Sequence, residues 1–498
     1  MIQQAGKASF IDAAAIRGRL AHGAAGVKRV REILQKARLL QGLNREELAD
    51  LALLDDPALE AELFAAAGWV KEQIYGRRMV IFAPLYIGNK CSNNCLYCAF
   101  RSANTDLVRR SLSFEEIENE TRALLREGHK RVLMLSGEDA TESLDRFIEA
   151  IRRVYAVREK NPRNGVEANI RRINVEIAPL TEDGFRRLKA AGIGTYACFQ
   201  ETYDPDLYAQ YHLSGPKADY LDRLYVMDRA MAGGIDDVGI GALFGLGDWR
   251  FELLALYDHA AHLEQSFGCG PHTVSVPRIE PADGAPAALS VPQAVSDRDF
   301  RKIIAILRLA LPYTGIILST RESEELRNEL FTYGISQISA GSRTNPGAYA
   351  EDAANTAMTA AAHINTATAA HAPAAHAPAA PAATAAQFQL GDHRSLEEIS
   401  RRLAKLNYVP SFCTGCYRKG RVGADFMDLA KPGLIKCYCE PNAYFTYSEY
   451  LADFASAETR GIGNDLVRRL AADSPAEIQE SVKSGLERIQ AGERDVYL

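Results

Sequence analysis

Three thiols on one short loop carry the strongest chemical signal in this sequence. Cys91-Ser-Asn-Asn-Cys95-Leu-Tyr-Cys98 sets its cysteines at a C-x3-C-x2-C spacing, between Gly88-Asn89 and Phe100-Arg101. Thiolates this close can ligate three irons of a 4Fe–4S cluster and leave the fourth iron open to a ligand that is not protein. Structural zinc takes four protein ligands or recruits a nearby His or carboxylate, and the loop offers neither. A disulfide leaves one of the three cysteines unpaired. A second group lies towards the other end: Cys413-Thr-Gly-Cys416, then 22 residues, then Cys439, with Cys437 two positions before it. Four ligands paired as C-x2-C and C-x-C suit zinc, and three with an exchangeable fourth position suit a reactive cluster; the spacing leaves both open.

These thiols have to be held by regular structure, and the chain supplies it in repeating form. The run Met79 to Ile87, just before the first cysteine loop, is apolar and β-branched enough for a buried strand. Short apolar runs recur at 131–135, 173–178, 195–199, 237–243, 273–277, 315–319 and 335–339. Helical patterns fall between them, near 143–156, 181–191, 219–232, 250–266, 297–310 and 322–332, and Ser113-Phe-Glu-Glu116 is a capping box for the helix after the cysteine loop. Eight such units match an α/β fold, the (β/α)8 TIM-type barrel, which gathers its chemistry at the C-terminal ends of its strands. On this reading 77–350 is the barrel and 1–76 a helical segment packed on it, with Asn44 as an N-cap. Residues 392–498 form a C-terminal appendix that binds the second metal group, and Ser474-Pro475-Ala476-Glu477 opens its last helix. Between them lies 351–391, an Ala/His/Pro-rich insertion without Asp, Glu, Lys or Arg from 353 onward. Such a composition buries too little apolar surface to order itself, so it reads as a flexible tract, and His363, His371 and His376 as solvated.

The first cysteine spacing, with the aromatic Tyr97 directly before the third thiol, resembles the signature of the radical S-adenosylmethionine (SAM) enzymes. In that family the open iron chelates the amino and carboxylate groups of SAM, and the aromatic packs near the adenine. The strand ends then sort by chemistry. Gly137 lets backbone approach a ligand, and Glu138 can take a cationic amine. The resemblance assigns this pair to the SAM amino group; a turn with a helix cap is the structural alternative. Glu176 and Glu201 suit ribose hydroxyls or the SAM sulfonium, or else salt bridges between loops. Arg321, close after Ser319, offers a fork of donors matched to a substrate carboxylate, with Ser342 in support. Arg343 suits a structural role. His272 stands at the start of its strand, where a core or surface histidine is the expected reading.

The composition sets bounds. The chain has 498 residues, 47% hydrophobic and 24% charged, which suits a large core with smaller appendages. A net charge of −6 argues against nucleic acid as the main partner. The first residues lack an apolar signal region, and no apolar run is long enough to span a membrane, so a cytoplasmic location is expected. The nine cysteines read as metal ligands in a reducing compartment.

A more specific likeness emerges from motifs in series. The two cysteine groups bracket Gly137-Glu-Asp139, Phe199-Gln-Glu-Thr-Tyr203, Met227-Asp-Arg-Ala-Met231, Ile235-Asp-Asp-Val-Gly239, Gly270-Pro-His-Thr273, Ser319-Thr-Arg-Glu322 and Ser339-Ala-Gly-Ser-Arg-Thr344. Together they resemble the tyrosine-lyase maturases of FeFe-hydrogenase, over about 65–350 and 392–455. The resemblance implies a SAM-binding 4Fe–4S cluster on Cys91, Cys95 and Cys98. It also implies an auxiliary Fe–S cluster on Cys413, Cys416 and Cys439, with an extra iron held by His272. The implied reaction is cleavage of L-tyrosine to p-cresol and dehydroglycine, then to CO and cyanide for the hydrogenase H-cluster. An electron donor such as ferredoxin or flavodoxin and other hydrogenase maturases are the implied partners. Cys437 and the Ala/His tract depart from the family pattern. Three rivals remain: the thiamine-pathway enzyme 2-iminoacetate synthase, a radical SAM enzyme with another substrate, and a non-enzymatic iron–sulfur carrier.

Overall fold

The computed structural model describes residues 8–355 and 385–498. Eight parallel strands close into a barrel: β1 (Arg78–Gly88), β2 (Arg131–Ser136), β3 (Arg172–Glu176), β4 (Thr195–Ala197), β5 (Asp237–Gly241), β6 (Thr273–Ser275), β7 (Gly315–Leu318) and β8 (Gln337–Ser339). The strands follow one another around the sheet in chain order. Closure is made by β1, which pairs with β2 through Ala83–Gly88 and with β8 through Val80–Phe82. No residue of β1 is exposed, as a parallel strand covered on both faces requires. Each strand begins within two residues of the apolar run that announced it, because burial of those runs dictates where pairing starts.

The connecting helices start where short polar side chains cap them. Ser113 and Asn44 both form full capping boxes, with Glu116 and Glu47. Two helix expectations are corrected. The pattern at 219–232 is broken at Tyr225 into Tyr220–Leu224 and Val226–Ala232. The last helix, Ala476–Gln490, starts after Pro475 without a side-chain cap, and the Ser474 hydroxyl donates back to the Leu470 carbonyl instead. Residues 8–76 hold four helices, of which Pro57–Tyr75 packs against Asp297–Ala310 on the outside of the barrel.

The C-terminal region is tied to the base of the barrel by a ninth strand, β9 (Val409–Ser411). It pairs in parallel with Arg78–Val80, the part of β1 that extends below β2. A buried ion pair, Arg171 to Glu449 at 2.9 Å, reinforces this seam. Lys71 is fully buried beneath it, donating to the Gly76 carbonyl at 2.9 Å and lying over the Tyr408 ring. The second cysteine group thereby faces the strand N-termini, and the first faces their C-termini.

Arg308, fully buried, fastens the turns that enter β7 and β8. It donates to the carbonyls of Pro312 at 2.7 Å, Thr314 at 2.9 Å and Gly334 at 2.9 Å. Arg308→Met strands three buried acceptors at about 1–3 kcal/mol each. A marked drop in apparent melting temperature is expected, together with faster proteolysis of the barrel base. An unchanged melting curve would show that these carbonyls find other donors.

Candidate active site

The first cysteine loop is held by hydrogen bonds at both ends. Asn89 caps it, donating to the Val108 carbonyl at 2.7 Å and accepting from Arg110 N–H at 2.7 Å. Leu96 N–H donates to Tyr211 and Leu213 N–H to Asn94, which clips the loop to the segment after the helix Pro205–Tyr211. Gly137 packs against the other side. A Cβ there would come within 2.2 Å of the Lys90 carbonyl, so this glycine is needed for close approach of two loops.

All three thiols line a cavity at the barrel mouth, together with Tyr97, Gly137, Glu138, Glu176 and Glu201 and, across from them, Ser319, Arg321 and Ser342. Burial pushes the thiols up, Cys95 to about 12 and Cys98 to about 11. Holding them as thiolates therefore requires a positive partner. The Tyr97 hydroxyl meets His212 Nε2 at 2.8 Å, while His212 Nδ1 bonds the Tyr208 carbonyl at 2.8 Å. Burial keeps that imidazole neutral, so Nδ1 carries its proton and Nε2 accepts from the phenol.

The three carboxylates have different duties. Glu138 accepts from Arg223 at 2.6 Å and from Asn93 at 2.8 Å, so both its oxygens are engaged with protein. Glu138 thereby braces the cysteine loop while still lining the cavity. Glu201 is paired with Lys217 at 2.8 Å and sits at φ 69°, in the left-handed region a non-glycine residue rarely adopts. Glu176 lines the cavity with neither hydrogen bond nor ion pair to the described residues.

Opposite, the Arg321 guanidinium lies on the face of Phe388, 3.4 Å from the ring centroid, and has no protein acceptor among the described residues. The Ser342 hydroxyl is buried without a hydrogen-bond partner. Ser319 instead accepts from Arg321 N–H at 3.4 Å. Arg343 is paired with Asp352, as a structural arginine should be.

Phe388 belongs to the stretch expected to be a flexible tract. Residues 356–384, with His363, His371 and His376, lie outside the described residues, but 385–391 form a strap across the mouth. Gln387 N–H donates to the Thr344 carbonyl at 3.0 Å, Gln389 N–H to Pro281 at 2.9 Å and Gly391 N–H to Thr320 at 3.0 Å. The only sequence signal is the change from Ala/Thr/Pro repeats to Gln387-Phe388-Gln389-Leu390.

At the barrel base a second cavity is lined by Cys413, Cys416, Cys439 and His272. Cys437 is exposed and takes no part in that lining, which leaves three thiols. His272, at the start of its strand, lines this cavity with them. Its Nδ1 lies 3.5 Å from Asp237 without hydrogen-bond geometry, and burial disfavours its charged form. The unpartnered buried polar atoms around the thiols are donors: Arg78 Nε and Nη1, Arg131 Nε, Arg421 Nε and Asn442 Nδ2. A lining of donors beside thiols suits an anionic group such as a thiolate-bound cluster. Among the described residues no three His, Cys, Asp or Glu side chains are gathered as a site for a single metal ion.

Known proteins resemble this chain over both the barrel and the region that follows it. The Radical SAM superfamily model matches residues 85–259, and the Biotin and Thiamin Synthesis associated domain matches 275–409. The 2-iminoacetate synthase of Salmonella typhimurium is 32% identical over 317 residues, covering 62% of this chain and 78% of that protein. The chain belongs to the radical SAM superfamily. A crystal structure of HydG, described as a maturase of the [FeFe]-hydrogenase, superposes with TM-score 0.88 at 42% identity, covering 99% of this chain and all of that one. HydG from Carboxydothermus hydrogenoformans gives TM-score 0.73 at 41% identity, covering 92% and 94%. Membership implies a 4Fe–4S cluster and SAM, and the mouth, with three convergent thiols, one buried and two half-buried, and an unpaired carboxylate, fits both.

Burial and then the neighbouring Glu201 carry Glu176 up to about 7, against the pull of Lys217, Arg223 and Arg321. A carboxylate facing a sulfonium must be ionised to attract it. SAM is therefore expected to bind about tenfold more tightly at pH 8 than at pH 6, as the ionised fraction rises through that value. Glu176→Gln should flatten the profile. Anaerobic binding titrations of the cluster-loaded protein measure both, and a profile unchanged in the variant would assign the dependence elsewhere.

Proposed function

We propose that this enzyme cleaves the Cα–Cβ bond of L-tyrosine to p-cresol and dehydroglycine, and converts the latter to CO and cyanide at an auxiliary cluster for assembly of the FeFe-hydrogenase H-cluster. The observation that carries this reading is the second cavity, where Cys413, Cys416 and Cys439 meet His272 inside a wall of donors at the barrel base. The extent of likeness supports it: that to HydG runs over 99% of the chain, and that to 2-iminoacetate synthase over 62%. A plain iron–sulfur carrier would need neither Glu176 nor Arg321 at the mouth.

When bound, the reduced cluster supplies the electron that splits SAM to methionine and a 5′-deoxyadenosyl radical, and the auxiliary cluster supplies the iron for CO and cyanide. The protein's part is to hold, orient and exclude water. Arg321, fixed by Phe388, takes the tyrosine carboxylate through two parallel N–H donors, and Ser342 Oγ adds a third contact. Tyr97, fixed by His212, supports the adenine, and Glu176 meets the sulfonium. Loss of a hydrogen atom from the tyrosine amine, taken up as 5′-deoxyadenosine, lets the benzylic half leave as a radical, which gains one electron from the external electron donor and one proton to become p-cresol. The remaining dehydroglycine, C2H3NO2, balances as CO, HCN and H2O.

Arg321→Lys removes the bidentate fork and should weaken tyrosine binding by roughly ten- to hundredfold, from about 1.5–3 kcal/mol per charged hydrogen-bonded contact. An unchanged tyrosine dependence would move the carboxylate site to another residue. Cys413→Ala with Cys416→Ala should separate the half-reactions. The double variant is expected to form 5′-deoxyadenosine and p-cresol while CO, trapped by deoxyhaemoglobin, disappears. CO release at the wild-type rate would sink the two-site reading, and a wild type that makes p-cresol without CO would favour the 2-iminoacetate synthase reaction.

A further inference from the structure

Gln387 bridges two groups on the strap over the mouth. Its Nε2 lies 3.6 Å from Cys98 Sγ, and its Oε1 accepts from the Tyr86 hydroxyl at 2.7 Å. The backbone around it is tied to the cysteine loop: Ala99 N–H donates to the Gln387 carbonyl at 3.4 Å and Asn89 Nδ2 to the Ala385 carbonyl at 3.4 Å. Chemistry fixes the orientation of the amide. A Cys98 thiolate would repel the amide oxygen, so the oxygen turns to the Tyr86 hydroxyl, which can donate to it. The NH2 group is left to point at Cys98, whose thiolate can only accept.

From this geometry we infer that Gln387 is a positioning residue for the mouth cluster, whose amide N–H···S bond to Cys98 raises the cluster's reduction potential. The inference rests on the reading that Cys91, Cys95 and Cys98 hold a 4Fe–4S cluster. Reduction adds one negative charge, part of which falls on the ligand sulfurs. A donor aimed at one of those sulfurs stabilises the reduced form more than the oxidised form, and the effect is strongest where water is excluded. Cys98 is the thiol to which Gln387 is addressed, and Tyr86 prevents the amide from turning away. The strap therefore does more than cover the mouth: it completes the electrostatic setting in which a one-electron donor can reduce the cluster.

The test is a redox titration of the reconstituted full-length protein followed by electron paramagnetic resonance. The signal that SAM perturbs identifies the mouth cluster. Gln387→Leu should lower the reduced fraction at a fixed potential about tenfold, which for a one-electron couple is a midpoint about 59 mV lower. Gln387→Glu keeps the shape and the bond from Tyr86 but places a carboxylate oxygen at the sulfur, so its midpoint should fall further. Full cluster content with an unchanged midpoint in both variants would overturn the inference. Should Gln387→Leu fail to load a cluster, the near-isosteric Gln387→Glu decides alone. A wild type without any SAM-perturbed signal would overturn the underlying reading of the mouth, and the inference with it.

Discussion

Desolvation of thiols is the constraint on which the arrangement depends. Six cysteines line two cavities, and burial pushes Cys95, Cys98 and Cys416 to about 11 or 12, so that a bare thiolate at those three is costly. Such groups serve as ligands only if the surroundings repay the lost hydration. At the base the repayment is a shell of arginine and amide donors. At the mouth the positive groups Lys217 and Arg223 stand behind the carboxylates that neutralise them, so the cavity stays near electrical balance before any ligand enters. Arg321 and Glu176 are the charges left over, one of each sign, on facing walls.

The barrel keeps these two settings apart while joining them covalently. β1 is the shared member: its C-terminal end leads into the first cysteine loop, and its N-terminal end pairs with β9, two residues before Cys413. A strand long enough to pair with three neighbours makes the separation of the sites a fixed distance along one rigid element. Arg131 adds a second tie at the base, donating from the start of β2 to the Cys413 carbonyl.

Much of this was legible in the sequence because it depends on local pattern. Buried parallel strands have to be apolar runs, capping boxes have to carry Ser or Asn before Glu, and cluster ligands have to be cysteines. What the sequence did not show depends on pairings between distant residues. Glu138 and Glu176 look alike in one dimension, and only the positions of Arg223 and Asn93 decide that one is engaged and the other free. The strap at 385–391 is silent because its order comes from Thr344, Pro281 and Thr320, outside its own composition. β9 contains a proline and only three residues, too short a signal for a strand, yet the free lower edge of β1 recruits it. His272 stands at the start of its strand, and the rule that chemistry collects at strand C-termini says nothing of the cavity it lines at the base.

Gln337, at the start of β8, is the one residue that lines both cavities among those described, and the inward residues above it, Thr195, Thr273 and Asn174, are small or polar. Many barrels fill this level with bulky branched side chains. Here Gly315 faces the Gln337 amide so closely that a Cβ would lie 2.4 Å from its Nε2, which shows that space at this level is already rationed. Gln337 thus stands between the two cavities, with Asn174, Thr195 and Thr273 as polar neighbours on the mouth side.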